Sequence, residues 1–140
     1  MGGGVAARRV RGPFVPLVRA LTVAADGRLE GHASAFLIPS RPALRVFGVG
    51  DLVVASGRRG TGIGAALAAA TVAECERREA QVILVDTLAA RSLFTALGFA
   101  SVPAWTVYYQ RDAACHRHEH WMIRAAVPPP RVELLAHGDF

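Results

Sequence analysis

The alternation of hydrophobic and polar positions divides the chain into short extended runs, one long alanine-rich segment and one shorter apolar segment. Leu17–Val23 and Gly31–Ile38 are apolar-rich and flank Asp26-Gly27, a dipeptide suited to a tight hairpin turn. They predict the first two strands. Pro39-Ser40-Arg41-Pro42 reads as a loop and Leu44–Val54 as a third strand, in which Gly48 and Gly50 mark a bulge or a close backbone approach. A helix is predicted from about Gly62 to Glu79, because alanine dominates it and favours helix. Its first half is apolar nearly all round, which predicts that it is largely covered, and Glu74–Glu79 is its wetter end. Val82–Val85 reads as a buried strand, and Ala89–Leu97 as a short second helix stopped by Gly98. Thr106–Tyr109 and Trp121–Ala126 are two further strands. Pro128-Pro129-Pro130 ends the last one, and Arg131–Phe140 is a tail. Met1–Gly12 is expected to fray. The order β-β-β-α-β-α-β-β predicts one mixed α/β domain over residues 1–140, a mostly antiparallel sheet flanked by helices.

Composition narrows the function classes. At 140 residues and 52% apolar content the chain can bury a core, and disorder is excluded as its general state. The net charge of +5 favours anionic partners. All sixteen basic residues are arginine, and asparagine is absent too. That is a composition bias, so arginine richness alone says little. The arginines are spread along the chain and aromatics are few, so no basic and aromatic stripe suits nucleic acid. Cys75 and Cys115 make no disulfide framework, which points to a reduced, cytoplasmic setting. No apolar run reaches the roughly 18–20 residues of a membrane span. Arg8-Arg9 followed by Phe14–Val18 loosely imitates an export signal, but Arg19 interrupts its apolar core. Cys115-His116-Arg117-His118-Glu119-His120 would set three histidines on one face of a strand. No second Cys/His group with ligand spacing accompanies it, so it reads as a polar hairpin between the last two strands, and no metal is expected.

The candidate chemistry centres on the passage from strand to helix. Leu52-Val53-Val54 is extended, Gly57 breaks the strand, and Arg59-Gly60-Thr61-Gly62-Ile63-Gly64 leads into the alanine-rich helix. A glycine-rich turn opening a helix is an anion site: free backbone N–H groups point outward and the helix dipole favours negative charge. Arg58 and Arg59 add cationic donors. A P-loop is excluded, since Ile63-Gly64 stands where Lys-Ser/Thr is needed. Gly60-x-Gly62-x-x-Ala65, with Asp86 about 20 residues on, fits a dinucleotide fingerprint. Its first glycine, however, should close the strand, and Ala55–Arg59 intervenes.

Arg59-x-x-Gly62-x-Gly64 resembles the acetyl-CoA pyrophosphate motif of the GNAT superfamily of N-acetyltransferases, and Phe94-x-x-Leu97-Gly98-Phe99 downstream resembles its second landmark. The hairpin Gly27–Ser34, the approach Ala43–Val46 and the ending Gly138-Asp139-Phe140 are most similar to the aminoglycoside 2'-N-acetyltransferase-like branch. The resemblance implies a GNAT-like fold and acetyl-CoA as co-substrate. Leu52, Val53 and Val54 would pair with the pantetheine arm. Arg59, Gly60, Thr61, Gly62, Ile63 and Gly64 would hold the pyrophosphate. It implies a primary amine as acceptor, first a small cationic metabolite or aminoglycoside-like amine, then a protein amine. The family opens with a strand and two helices that wall the acceptor pocket, and Leu17–Val23 leaves no room for those helices ahead of it. The implied pocket is open, is completed by a second copy in a homodimer, or belongs to a chain that starts late.

Both usual proton-handling groups are replaced. Gly50 stands where many members carry a glutamate, and Phe94 where they carry a tyrosine. Asp51 is adjacent to the first position, but strand alternation sets it on the other face unless a bulge re-aims it. The substitutes are Asp51, Asp86, Thr87 and the tail carboxylates of Asp139 and Phe140, with His32 read first as an ordinary strand histidine. Asp86 reads equally well as the N-cap of the short helix. Oriented binding alone supplies much of an acyl-transfer rate. A non-catalytic acetyl-CoA-binding domain is the reading from a different class.

Overall fold

A computed structural model of the protein describes residues 16–23, 26–58, 60–103, 105–109 and 120–135. Strands β1 (Pro16–Val23), β2 (Leu29–Ile38), β4 (Val46–Val54), β5 (Val82–Asp86), β8 (Trp121–Arg124) and β6 (Ala100–Ser101) form one sheet in the order β1-β2-β4-β5-β8-β6. Only the β4–β5 pair is parallel. Strands β3 (Ser40–Arg41), β9 (Val132–Leu134) and β7 (Val107–Tyr109) form a second, three-stranded sheet. Helices α1 (Ile63–Arg77) and α2 (Arg91–Ala96) complete the set.

Alternation along the central strands sorts their side chains onto two faces. Ala35, Phe47, Val49, Ile83, Val85 and Met122 pack against Ala68, Val72 and Cys75 of α1 and Phe94 of α2. Phe36, Ile38, Val46, Val82, Leu84, Trp121 and Ile123 pack on the other side against Val107, Val132 and Leu134 of the small sheet. The continuous apolar run of β5 is therefore a strand covered on both faces. Each large side chain so buried contributes about 1.5–3 kcal/mol.

The predicted strands and helices exist, with ends displaced by a few residues, and four expectations are corrected. Helix α1 is not covered all round: Ile63, Leu67, Ala68, Thr71, Val72 and Cys75 are buried, while Ala65, Ala66, Ala69 and Ala70 are exposed. Those outer alanines serve helix propensity, since a methyl is no larger a burial than the surface tolerates. The Pro39–Pro42 loop contains β3, and the tail contains β9. Both are too short to show periodicity. Strands β7 and β8 lie in different sheets and are not a hairpin pair. The Cys115–Glu119 segment expected to join them lies outside the described residues.

Both helices end on left-handed caps. After α2, Gly98 (φ +88°) lets Phe99 N–H donate to the Phe94 carbonyl and Gly98 N–H to that of Thr95, each at 3.0 Å. The turn folds the Phe99 ring edge-to-face onto Phe94, with centroids 5.1 Å apart. After α1 the same motif forms, with Ala80 N–H donating to Cys75 at 3.0 Å and Glu79 N–H to Glu76 at 2.9 Å. Here the left-handed position is Glu79, at φ +63°. A side chain there crowds the backbone, which glycine avoids.

Two predictions follow from these packing details. Glu79 is exposed, so Glu79→Gly relieves the backbone without loss of packing. It should raise stability by about 1 kcal/mol and the melting midpoint by roughly 3–5 °C; an unchanged midpoint in thermal melts contradicts this. Burial pushes the Cys75 thiol up to about 11. Cys75 should therefore resist thiol reagents at neutral pH in the folded protein and react once urea unfolds it, read by peptide mass mapping. Its protonated form is favoured by folding, so that contribution to stability is lost as pH rises from 9.0 toward 11.

Candidate functional site

The glycine turn is set by backbone conformation. Strand β4 closes with Ala55 N–H donating to Glu30 at 2.7 Å, and a 3-10 turn, Ser56–Arg58, follows. Gly60 (φ +78°) and Gly62 (φ +84°) then take left-handed conformations. A Cβ on either would meet nothing within 4 Å. Glycine is needed there for φ, and the outer side of the turn is open. Gly62 is the N-cap of α1, its carbonyl accepting from Ala66 N–H at 3.0 Å. It offers no side-chain cap, and the first turn of α1 holds no acidic residue. The positive end of a helix is a favourable place for an anion. Thr61 is exposed, Ile63 is buried, and Gly64 brings its Cα side against Val54, where a Cβ would stand 3.5 Å from Val54 Cγ2. Arg59 lies outside the described residues.

The start of the helix is seated on small residues. Ile63 and Leu67 pack on Ala33 of β2, with Leu52 and Val54 beside them. A Cβ added to Gly31 would stand 2.6 Å from Leu67 Cδ1 and 3.1 Å from Ile63 Cγ2. Gly31 thus fixes how closely α1 lies on the sheet. Sequence reading took it only as a strand start; a glycine inside a strand was the available signal.

Next to the turn the sheet divides. Strands β4 and β5 pair at Val46↔Val82, Phe47↔Ile83 and Gly48↔Leu84, and no further. Beyond Gly48, β4 runs on to Val54 beside a gap. Its register against β2 slips by one residue between Ser34↔Gly50 and His32↔Val53, so Asp51 and Leu52 together oppose Ala33. A β-bulge therefore stands at Asp51–Leu52. Past the bulge, Leu52 packs on the helix side. The Ala55–Glu30 bond makes His32–Val53 a hydrogen-bonded pair and turns the Val54 N–H and C=O away from β2, toward the gap. An extended ligand with amide groups can add there as a strand would.

Because β4 and β5 are parallel, their C-terminal ends share one end of the sheet with the turn. The topology therefore brings Leu52, Val53, Val54, Gly60, Thr61, Gly62, Ile63 and Gly64 together with Asp51, Asp86 and Thr87. Asp86 is exposed at the last position of β5, opposite Trp121. The N-cap of α2 is Ala90, not Asp86, and it has no side-chain cap; Thr87 Oγ1 accepts from Ala90 N–H at 3.1 Å. Thr87 N–H donates to the His120 carbonyl at 3.2 Å. Phe94 is 1% exposed in the helix-side core. Asp139 and Phe140 lie outside the described residues. Among the described residues no cluster of three or more His, Cys, Asp or Glu is placed to hold a metal. A separate depression of about 920 Å³ opens at the opposite end of β5, between Leu44, Val82, Arg124 and Pro128–Pro130.

Comparison with known proteins places this arrangement. The model of the acetyltransferase (GNAT) family matches residues 9–99, which include the glycine turn, α1, β5 and Leu97-Gly98-Phe99. No curated protein matches the chain. Among solved structures, the chain is similar to the GNAT family N-acetyltransferase YhbS of Escherichia coli, solved in complex with CoA: TM-score 0.66, 12% identity, 86% of this chain and 68% of that one. A GNAT family acetyltransferase of Brucella melitensis in complex with acetyl-CoA gives TM-score 0.57 at 20% identity, over 80% of this chain and 61% of that one. A GCN5-related N-acetyltransferase of Kribbella flavida gives TM-score 0.55 at 23% identity, over 86% and 84%. These likenesses share the mixed fold with its mostly antiparallel sheet. With the family model covering more than half of its residues, the chain belongs to the GNAT family of acetyltransferases.

Proposed function

We propose that this protein is an acetyl-CoA-dependent N-acetyltransferase acting on a primary amine. The observation that carries the reading is the gap between β4 and β5 beside an uncapped helix N-terminus. The pyrophosphate sits on Gly60–Gly64 with Arg59 as a cationic donor, and the pantetheine arm lies along Leu52–Val54. The complexes named in the Escherichia coli and Brucella structures support that ligand. Asp86, exposed at the shared end of the sheet, and Asp51 in the bulge suit a cationic acceptor. This favours a small cationic metabolite or an aminoglycoside-like amine over a protein amine. The narrower kinship to the aminoglycoside 2'-N-acetyltransferase-like branch has its support in the β1–β2 hairpin and in the tail residues Gly138–Phe140. Leu88, 65% exposed beside Asp86 and Thr87, is an apolar surface that a second copy would cover in completing the pocket. The free, buried Cys75 suits a reducing cytoplasm.

A second reading, a non-catalytic acetyl-CoA-binding domain, is favoured by Phe94: it is locked in the core and has no proton to give. Calorimetric titration with acetyl-CoA separates the outcomes. Wild type should bind, and Gly62→Trp, which fills the open side of the turn, should weaken binding at least tenfold while keeping a cooperative melt. Absence of wild-type binding rejects the acetyl-CoA assignment. Binding with no thiol release toward spermidine, kanamycin or ethylamine selects the non-catalytic reading.

A further inference from the structure

Buried histidines ordinarily have hydrogen-bond partners, and His32 is a buried strand histidine. It is 4% exposed, and neither Nδ1 nor Nε2 has a hydrogen-bond partner among the described residues. A buried imidazole without partners loses on the order of 1–3 kcal/mol of hydrogen bonding it had in water, and such orphaned groups call for an explanation in function.

Its place supplies one. Gly31, Ala33 and Ala35 of β2 face the helices, so alternation sets His32 on the other face with Ser34 and Phe36. On that face its partner in β4 is Val53, next to the Asp51–Leu52 bulge. The neighbouring β4 positions on that face are Gly50, opposite Ser34, and Gly48, opposite Phe36. Neither carries a side chain on that face. The Ser34 hydroxyl is already used, donating to the Gly50 carbonyl at 3.2 Å. The imidazole is thus a buried nitrogen base without a hydrogen-bond partner among the described residues, one strand away from the bulge and the β4–β5 gap.

We propose that His32 is the general base for the acceptor amine, acting directly or across one water. The inference rests on the acetyltransferase reading and names the group that Gly50 and Phe94 fail to supply. An ammonium acceptor gives one proton to the imidazole. The freed amine nitrogen bonds to the thioester carbonyl carbon, and the C–S bond breaks with its electron pair staying on sulfur. The second nitrogen proton passes to that thiolate, and the imidazolium returns its proton to solvent. The products are the amide, free CoA and one proton.

Charged groups near this position are Glu30 on β2, two residues before His32, Arg19 at the β1 register position opposite Ser34, and Asp51 in the bulge. The test uses the full chain, its His32→Gln and His32→Asn variants, and ethylamine, spermidine and kanamycin as acceptors. Acetyl-CoA binding should stay within about twofold of wild type. The kcat should fall about 100-fold or more, and the acidic limb of kcat/KM should disappear. Independently of turnover, the His32 imidazole resonance, identified by its loss in His32→Gln, should move with acetyl-CoA relative to CoA. Wild-type turnover without an acidic limb, variants that keep the limb, or an unmoved resonance each overturn the role of His32 and leave the transferase reading intact. Acetyl-CoA binding with no turnover of any amine overturns both.

Discussion

The geometry of this protein depends on how closely α1 can lie on the sheet. The helix is rich in alanine, and its larger buried side chains, Ile63, Leu67 and Val72, must reach the core past those methyls. They do so because β2 presents Gly31, Ala33 and Ala35 beneath them. A side chain at Gly31 would collide with Leu67 and push the helix outward. The close seat sets the N-terminus of α1 at the mouth of the gap between β4 and β5. An anionic group on the turn and an extended arm along Val54 can then belong to one ligand.

The gap has its own physical cause. Strand β4 pairs with β5 over three residues and then parts from it, while the bulge at Asp51–Leu52 increases its twist against β2. The separation leaves main-chain donors and acceptors of β4 exposed to a ligand in the middle of a sheet, where edges are otherwise covered. Cores on both faces hold the divided sheet in place, the helices on one side and the small β3-β9-β7 sheet on the other.

The departures from the family's proton-handling pattern have structural explanations too. Phe94 cannot be an acid, and its ring anchors the end of α2 through Phe99. Gly50 has no side chain, and its carbonyl is bonded by Ser34. His32, buried and without a hydrogen-bond partner among the described residues, lies on the same face.

Local chemistry by itself determined much of this. Asp26-Gly27 specified the hairpin, alanine the long helix, Gly98 the stop of the second, and the spacing of Gly60, Gly62 and Gly64 the turn. Each is a short-range consequence of backbone freedom or propensity, so each is legible in a few consecutive residues. The tertiary structure decided the rest. The two-residue β3 and three-residue β9 have no periodicity to read, and only the apolar face of the large sheet gives them a place. That the N-cap of α2 is Ala90, not Asp86, depends on where β5 ends. The bulge at Asp51, the close seat at Gly31 and the missing partners of His32 are pairings between strands distant in sequence. No single segment records what stands opposite it.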